Sequence, residues 1–475
     1  MEQSGQLSVT QFCVTSRPLP CSSCRRRSVF DSPTVSPLGV GNVPPRWPAI
    51  AAAVVFFGIA LGRAVGPPDG DPRDFFIYRL GAELVCRGEN PYDIAKIRHH
   101  VGASFAPENS QKPFNNSPAL NSGDFGRWLV LLVDECLVNS FPLNCGYFLP
   151  PMAVLLYMPF ALLPWLPAKV AWALVNGIAA YFIARLPVLL RLHNSPPIPV
   201  FIWAVVPFLL LMDPSIAPVI VFPVGQTSVL AIAFVSAGLI AYERGRFSLM
   251  AVLWIFPFVK PHLAISLIPL MWYLGGWRPA LLLVVLVASL NLIGATVIGG
   301  SPLFLKDYAD FLPSTRDAVR YNRIELNPSI ASWNQLVFAF GGPLLELGIV
   351  TTVAGYLVWY GFLMGRWTWS GERPSAAWAT AATVAGAVWC SQVLVYELIL
   401  LLAAVPWVRD LYLGGYRIRS VTAACLLAIH WVPRTTMEGA GFPAHHPIAV
   451  ALFALVVLTG PLNPVRTPSP ESPTA

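Results

Sequence analysis

PALLLVVLVASLNLIGATVI, residues 279–298, contains no charged side chain. A helix that crosses the hydrocarbon core of a bilayer needs about 20 apolar residues, so this stretch can span a membrane. Comparable apolar runs follow one another through most of the chain, at residues 48–65, 147–166, 168–191, 198–212, 226–242, 247–273, 343–364, 376–392, 394–408, 418–432 and 447–461. The pattern predicts an all-α polytopic membrane protein with about 12 transmembrane helices.

The composition of the chain supports the membrane class. Hydrophobic residues make up 55% of the 475 and charged residues only 12%, too few for the surface of a soluble globule of this size. The formal net charge is +7, but the basic residues form short clusters between apolar runs, as the positive-inside rule expects. Nucleic-acid binding is therefore not expected. The cysteine spacings fit neither a disulfide framework nor a zinc tetrad.

The predicted organisation is one membrane domain between two tails. Residues 1–46 carry RRR at 25–27 among many Ser and Pro, which predicts a disordered basic tail on the cytoplasmic side. Residues 47–462 form the membrane domain, with two large outer loops at 66–146 and 299–335. Residues 463–475 are expected to be a flexible C-terminal tail.

Basic residues set the predicted orientation. With the N-terminal tail inside, about 12 passes also place inside Lys169, Arg278, Arg366, Arg373, Arg409, Arg417, Arg419 and Arg466. The same count leaves Arg185, Arg191, Arg244 and Arg246 outside, where they fit badly. A hairpin over residues 247–273 that turns at Lys260 and Pro261, matched by an extra short pass near 214–224, would bring Arg244 and Arg246 inside.

The first outer loop opens with DPRDFFIY, residues 71–78. Its Asp74 would lie at the membrane surface, where a charged side chain is costly and persists mainly when a polar cavity or a reaction uses it. Asp69 and Asp71 form a DxD motif, the pattern that holds a divalent metal against a nucleotide sugar, but no nucleotide-binding α/β pattern accompanies it. No cofactor and no metal site are expected, and metal dependence stays open.

An ordered set of motifs follows Asp74. It comprises DFFIY (74–78), GENPYD (88–93), YFLPP (147–151), MPF (158–160), LP (163–164), Trp172 with Asn176, GQ (225–226), KP (260–261) and NPS (327–329). In this order, over roughly residues 70–400, the motifs resemble glycosyltransferase family 87.

The resemblance implies a helical bundle of the GT-C type and a multi-pass enzyme of the cell membrane. Such an enzyme would take mannose or arabinofuranose from a polyprenyl-phosphate donor and add it to a glycolipid or cell-envelope glycan on the extracytoplasmic face. Its catalytic Asp would lie in the first outer loop, here Asp74, and the motif residues Tyr78, Asn90 and Tyr92 would bind substrate. The expected partners are this sugar donor, the glycan acceptor and membrane lipid.

The role of Asp74 is chemically sensible. A carboxylate within hydrogen-bond reach of an acceptor hydroxyl can take its proton as that oxygen attacks the anomeric carbon. A single displacement inverts the anomeric centre, and phosphate leaves as a stable anion without a strong general acid. The alternative is an interfacial carboxylate that caps a helix or pairs with Arg73 or Arg79.

Lys260 and His262 are the next candidates. A lysine among Phe258, Val259 and Leu263 should face a partner or a cavity, and it could bind the phosphate of the lipid donor. The alternative is a structural lysine that snorkels to the headgroups or pairs with a carboxylate. His262 could assist it or be a hydrogen-bonded core histidine.

Further substrate-binding candidates are more weakly marked. Gln226 opens a helix whose N-terminal amides suit a sugar hydroxyl or phosphate, although helix capping explains it equally well. The second outer loop offers a basic, polar surface for phosphate or glycan, or a plain solvated face, through Arg316, Arg320, Arg323 and Asn327. Glu397 is a candidate cavity residue. The family often has a histidine after this glutamate, and here Leu398 follows, so any histidine-dependent step is in doubt.

Two other functions compete with glycosyl transfer. A transporter or flippase of an amphipathic or lipid-linked solute would suit the membrane helices and buried charges, but no internal half-repeat is evident. A noncatalytic assembly protein of the envelope could keep the same fold.

Overall fold

A computed structural model describes residues 46–65, 73–93, 96, 149–189, 227–318, 331–340, 349–372, 374–391, 393, 395–429 and 445–465. The regular elements in these ranges are helices, with no strand among them, which confirms the predicted all-α class for this part of the chain. They belong to one compact unit, Val35–Ala475.

Helices in the first half of the chain are α1 Trp47–Val65, α2 Arg73–Cys86, α3 Pro151–Ala161, α4 Trp165–Leu189, α5 Ser228–Glu243, α6 Phe247–Leu253, α7 Pro261–Ala264, α8 Leu267–Gly275 and α9 Trp277–Gly299. Those in the second half are α10 Phe304–Ala318, α11 Trp333–Ala339, α12 Ile349–Ser370, α13 Ala376–Cys390, α14 Val405–Leu413, α15 Arg417–Ala428 and α16 His445–Thr459. Two 3-10 segments, Phe256–Val259 and Val395–Ala404, interrupt the α-helical runs.

Two described helices are long and apolar enough to cross a membrane, namely Trp165–Arg185 within α4 and Trp277–Gly299, which is α9. The outer face of α9 exposes large apolar side chains, Leu281, Val284, Val285, Leu292, Ile293 and Val297. A continuous apolar face of this kind suits lipid better than water. The number of passes beyond these two helices stays a prediction.

The apolar run at residues 147–166 is not one long helix. α3 has 11 residues, and at about 1.5 Å per residue it is much shorter than a bilayer core of about 30 Å. Its first residue packs closely on α9, since a Cβ at Gly294 would lie 2.4 Å from the Pro151 carbonyl oxygen. Leu162 to Pro164 then separate it from α4. The apolar run therefore holds one short helix and the start of α4 rather than a single continuous helix.

Residues 247–275 form a hairpin, which is one of the two topologies that the basic residues allow. Phe247 and Gly275 meet at its base, where a Cβ on Gly275 would lie 3.3 Å from the Phe247 ring. Lys260 and Pro261 form its tip, and Pro261 begins α7 at a position where its missing N–H costs no hydrogen bond. The hairpin is confirmed, whereas its companion pass near 214–224 lies outside the described residues.

One end of the bundle collects arginines from distant parts of the chain. Arg46 and Arg244 lie close enough to Arg185 to act on it electrostatically, and Arg409 acts in the same way on Glu243. The last turn of α16 is capped there, because Arg366 donates to the carbonyls of Val457 and Gly460, and Arg419 donates to that of Thr459. We call this the arginine end, defined by Arg46, Arg185, Arg244, Arg366, Arg409 and Arg419.

The opposite end carries α2 and the start of α4, and we call it the loop end. α1 runs antiparallel to α4, because Gly177 lies against Ala53 and Phe57 while Ala184 packs on Ala49 near the arginine end. Trp165 and Trp172 consequently meet Phe75 of α2 at the other end.

The two ends correct the predicted placement of basic residues. Lys169 lies in the first turns of α4 at the loop end, whereas the count of passes had put it on the same side as Arg46. Arg185 and Arg244, which that count had misplaced, lie beside Arg46. Both errors have one cause, since counting the short α3 as a full pass reverses the direction of α4.

Candidate active site

Five aromatic residues fix the first turn of α2. Phe75 is fully buried and stacks on Trp172 at 4.7 Å and on Trp165 at 6.0 Å between ring centroids. Phe160 meets it edge-on at 5.4 Å, and Tyr157 lies at 6.3 Å. We call this set, Phe75, Tyr157, Phe160, Trp165 and Trp172, the aromatic box. Such contacts favour a single orientation of the helix that carries Phe75.

Asp74 directly precedes Phe75, as the second residue of α2. The structure therefore gives the position of its backbone at the loop end, while its side chain lies outside the described ones. An acidic residue in a first helical turn is favoured by the partial positive charge of the helix N-terminus.

Arg79, one turn further along α2, ties this helix to α3. Its guanidinium donates to the carbonyls of Phe160 at 3.1 Å and Leu163 at 2.8 Å, and to Glu83 at 3.3 Å. These bonds hold α2 against α3 and the start of α4.

The other predicted residues of the first loop have structural contacts. Tyr78 is half-buried, with its ring 5.1 Å from that of Tyr157. Asn90 Oδ1 accepts from the backbone N–H of Tyr92 at 2.9 Å, in a turn that begins with Gly88 at φ 76°. The Tyr92 hydroxyl donates to the Leu149 carbonyl at 2.7 Å. Their substrate-binding roles stay predictions.

Tyr92 also joins the turn after α2 to α10. Its ring lies 5.8, 5.2 and 5.4 Å from the rings of Phe304, Tyr308 and Phe311, which all belong to α10. Burial in this cluster raises the pKa of Tyr308. The backbone of Arg316 continues α10, but its side chain is not among those described. Three further candidates, Arg320, Arg323 and Asn327, lie outside the described residues, as does Gln226.

A buried ion pair brings Lys260 and Glu397 together. Lys260 Nζ lies 2.6 Å from Glu397 Oε1 and 3.1 Å from Ser228 Oγ, with 8% and 5% of the two charged side chains exposed. Ser228 begins α5, and the 3-10 segment Val395–Ala404 carries Glu397. The alternative of a lysine paired with a carboxylate is therefore the arrangement seen.

His262 borders this ion pair. Its Nε2 lies 3.9 Å from Glu397 Oε1, and 41% of its side chain is exposed, so it is not a core histidine. Its backbone carbonyl accepts from Tyr356 at 2.9 Å and from Ser391 at 2.8 Å. The tip of the hairpin is thus anchored to α12 and to the end of α13, while the imidazole stays accessible.

The ion pair lies well inside the bundle. Glu243, at the arginine end, follows Ser228 by fifteen positions of α5, a rise of about 23 Å at 1.5 Å per residue. A carboxylate, an ammonium, a hydroxyl and an accessible imidazole therefore meet at one depth. Such a group can bind an anion, orient a hydroxyl or move a proton.

Sequence reasoning missed three polar residues of this cluster. Ser228 follows Gln226 by two positions, and Ser391 precedes Glu397 by six, so closeness to a candidate was an available signal. Tyr356 had no such signal, because an aromatic residue in an apolar helix is ordinarily core. Among the described residues, no group of three or more His, Cys, Asp and Glu could hold a metal ion.

Comparison with known proteins bears on the same segments. No curated protein and no solved structure matches the chain. The model of glycosyltransferase family 87 matches residues 147–395, a range that holds α4, the hairpin with Lys260, and α10, and that begins after Asp74 and ends just before Glu397. Because this range is more than half of the 475 residues, the chain belongs to glycosyltransferase family 87 and is a glycosyltransferase.

Proposed function

We propose that this glycosyltransferase transfers mannose or arabinofuranose from a polyprenyl-phosphate donor to a glycolipid or cell-envelope glycan, with inversion and with Asp74 as general base. The observation that carries the proposal is the aromatic box. It fixes the first turn of α2 at the loop end, so that the proposed base belongs to a packed helix rather than to a loop.

The charge distribution supports the proposed orientation. Arginines in short loops favour the cytoplasmic side, so the arginine end would face inwards and the loop end outwards. The exposed apolar face of α9 would then contact lipid between the two ends. In this orientation Asp74, α2 and α10 lie on the extracytoplasmic side, where a lipid-linked sugar and an envelope glycan can both reach them.

Asp74 would take the proton of the acceptor hydroxyl during attack on the anomeric carbon. The bond from that carbon to the phosphate oxygen breaks as the new glycosidic bond forms, and the electron pair leaves with the phosphate. Phosphate is a good leaving group, so no general acid is needed. A positioned base of this kind contributes about 10²–10⁴-fold to a rate.

Lys260 would bind the leaving phosphate only by sharing its positive charge between the phosphate and Glu397. Its ammonium lies against Glu397 in the present structure, so a phosphate group would compete with that carboxylate for Lys260 or would use the accessible His262 beside it. Glu397 would accordingly hold Lys260 in place before the donor arrives.

The proposal is tested by transfer from a synthetic polyprenyl-phosphate sugar with the purified full-length protein in detergent. We expect wild type to transfer the sugar and Asp74→Asn to lose about 10²–10⁴-fold in rate, with an unchanged melting temperature. Asp307→Asn, on the exposed side of α10, is the matched control and should keep full activity. An active Asp74→Asn variant rejects Asp74 as the base. Lipid translocation without transfer in proteoliposomes would instead favour a flippase.

A further inference from the structure

The short helix α11 buries its polar side chains and leaves its apolar ones nearer the surface. Asn334 is fully buried and Gln335 is 7% exposed. Leu336 is only half-buried, and Phe340, just after the helix, is 74% exposed. A helix that packs only for stability turns its apolar face inward. In a membrane protein, polar side chains that face the interior usually mark a substrate path or a cavity.

The two amides of α11 differ in their contacts. Asn334 Oδ1 accepts from the Ser332 hydroxyl and, at 2.9 Å, from the backbone N–H of Gln335. Gln335 Oε1 is buried, yet no described residue donates a hydrogen bond to it. Buried carbonyl oxygens nearly always accept a hydrogen bond, so this oxygen calls for a donor that binds there.

The helices α13 and α16 define a depth in the bundle. The start of α13 meets the end of α16, because the Trp378 indole donates to the Val457 carbonyl at 3.0 Å, beside Arg366 of the arginine end. Cys390 follows Trp378 by twelve positions, a rise of about 18 Å at 1.5 Å per residue. His445 precedes Val457 by the same twelve positions. The first turn of α16 therefore lies beside the last turn of α13.

The chain before α11 is attached at this depth. The Ala331 N–H donates to the carbonyl of Val393, which follows the end of α13, at 2.7 Å. α11 begins two residues later and packs on α16. Its buried amides are thus brought to the first turn of α16, where His445 and His446 are buried with ring centroids 3.8 Å apart. We call these residues the amide cluster, defined by Ser332, Asn334, Gln335, His445 and His446.

The amide cluster suits an uncharged ligand that is rich in hydroxyl groups. Amide side chains and neutral imidazoles both donate and accept hydrogen bonds, and sugar hydroxyls do the same. The cluster contains no Lys, Arg, Asp or Glu. It therefore lacks the guanidinium or ammonium that favours a phosphate and the carboxylates that favour a hard cation.

We propose that the amide cluster binds a sugar ring, with the buried Gln335 Oε1 accepting a hydrogen bond from one of its hydroxyl groups. The ring belongs to the lipid-linked donor or to the glycan acceptor, which present the same hydroxyl chemistry. The inference rests on the proposed function, which supplies both substrates. Lys260 and His262 would then serve the phosphate, while the amide cluster would hold the sugar.

The experiment measures binding to the purified full-length protein in detergent through the rise in melting temperature with ligand concentration. The probes are a synthetic polyprenyl-phosphate sugar, the same polyprenyl phosphate without sugar, and a soluble oligosaccharide, with mannose and arabinofuranose forms of both sugar probes. Gln335→Met keeps the length of the side chain and removes its amide. We expect it to lose about 5–100-fold in affinity for a sugar probe and to bind polyprenyl phosphate as wild type does.

The two sugar probes distinguish the two sources of the ring. A loss of affinity for the polyprenyl-phosphate sugar alone assigns the amide cluster to the donor. A loss of affinity for the soluble oligosaccharide alone assigns it to the acceptor. Either result supports the inference.

The melting temperature without ligand separates a binding residue from a packing residue. Gln335→Met should melt at the same temperature as wild type or higher, because it removes a buried carbonyl that lacks a donor. Leu336→Met is the matched control, since it introduces the same side chain at the next position of α11 without removing a polar group, and it should bind every probe as wild type does. Gln335→Leu replaces Gln335→Met if the methionine variant does not fold.

Several results overturn the inference. One is a wild type that neither sugar probe stabilises, and another is a Gln335→Met variant with wild-type affinity for both sugar probes. A lower melting temperature with unchanged sugar affinity would assign Gln335 to packing. Transfer activity tests the proposed function separately. A wild type that binds sugar through Gln335 but transfers none from the lipid donor would refute that function and leave the binding site standing.

Discussion

Lys260 and Glu397 form a buried ion pair of which the sequence indicated only one half. The apolar neighbours of Lys260 correctly indicated that its charge must meet a partner or a cavity. They could not name the partner, because Glu397 lies 137 positions away and only the packing of the hairpin against the 3-10 segment brings the two together. Removing one member of such a pair leaves an uncompensated charge in the interior.

At this scale we predict that Glu397→Gln destabilises the protein by about 3–5 kcal/mol, because Lys260 stays buried without its counter-charge. The double variant Lys260→Met with Glu397→Leu should recover most of this stability and still transfer sugar poorly. Thermal unfolding in detergent measures the first effect and the transfer assay the second.

The exposed pair of Lys306 and Asp310 supplies the control for this prediction. Its side chains are 79% and 65% exposed, so Asp310→Asn should change the melting temperature far less than Glu397→Gln does. Equal losses of melting temperature in the two variants would mean that burial does not make the Lys260–Glu397 pair more stabilising than the exposed pair.

Among the elements, α3 and α9 approach each other closely at a glycine. Gly294 faces the Pro151 carbonyl, and Asn291 one turn earlier accepts from the backbone N–H of Met152 at 3.4 Å. The Pro151 oxygen belongs to the backbone, so it cannot rotate away from a new side chain. The position of α3, and through it the aromatic box, depends on this small residue.

We predict that Gly294→Ala costs about 1–3 kcal/mol of stability, since the added methyl group overpacks a backbone contact. Gly361→Ala on α12 is the matched control, because a Cβ there would meet nothing within 4 Å. That variant should be neutral or stabilised by about 0.5–1 kcal/mol, as alanine favours the helix. Melting temperatures compare the two, and the prediction fails if Gly294→Ala unfolds no earlier than Gly361→Ala.

For the whole molecule, sequence patterns predicted the helical class and the glycosyltransferase family, and they allowed the hairpin as one of two topologies. They misjudged the direction of α4, because hydropathy alone does not show that α3 is short and packed against α9. The aromatic box was equally hidden, since Phe75 and Trp172 are 97 positions apart and their stacking is a property of the folded chain. Local patterns predict elements, while long-range packing decides which of their ends meet.

The direction of α4 yields a prediction about accessibility in cells. In a variant without native cysteines, Asp307→Cys in α10 should react with a membrane-impermeant maleimide added to intact cells. Arg246→Cys, at the arginine end, should react only after permeabilisation, because the proposed orientation places the arginine end on the cytoplasmic side. Labelling of Arg246→Cys in intact cells would reverse the proposed orientation.

The hairpin of residues 247–275 has a consequence for biosynthesis. It enters and leaves at the arginine end, and its tip carries a lysine that costs about 2.5–3.5 kcal/mol when a segment is inserted alone near the bilayer centre. The neutralising carboxylate belongs to a segment that the ribosome makes 137 residues later. The charge of Lys260 is therefore not neutralised by Glu397 until that residue has been synthesised. A nascent chain that ends before Glu397 should consequently be degraded by membrane quality control.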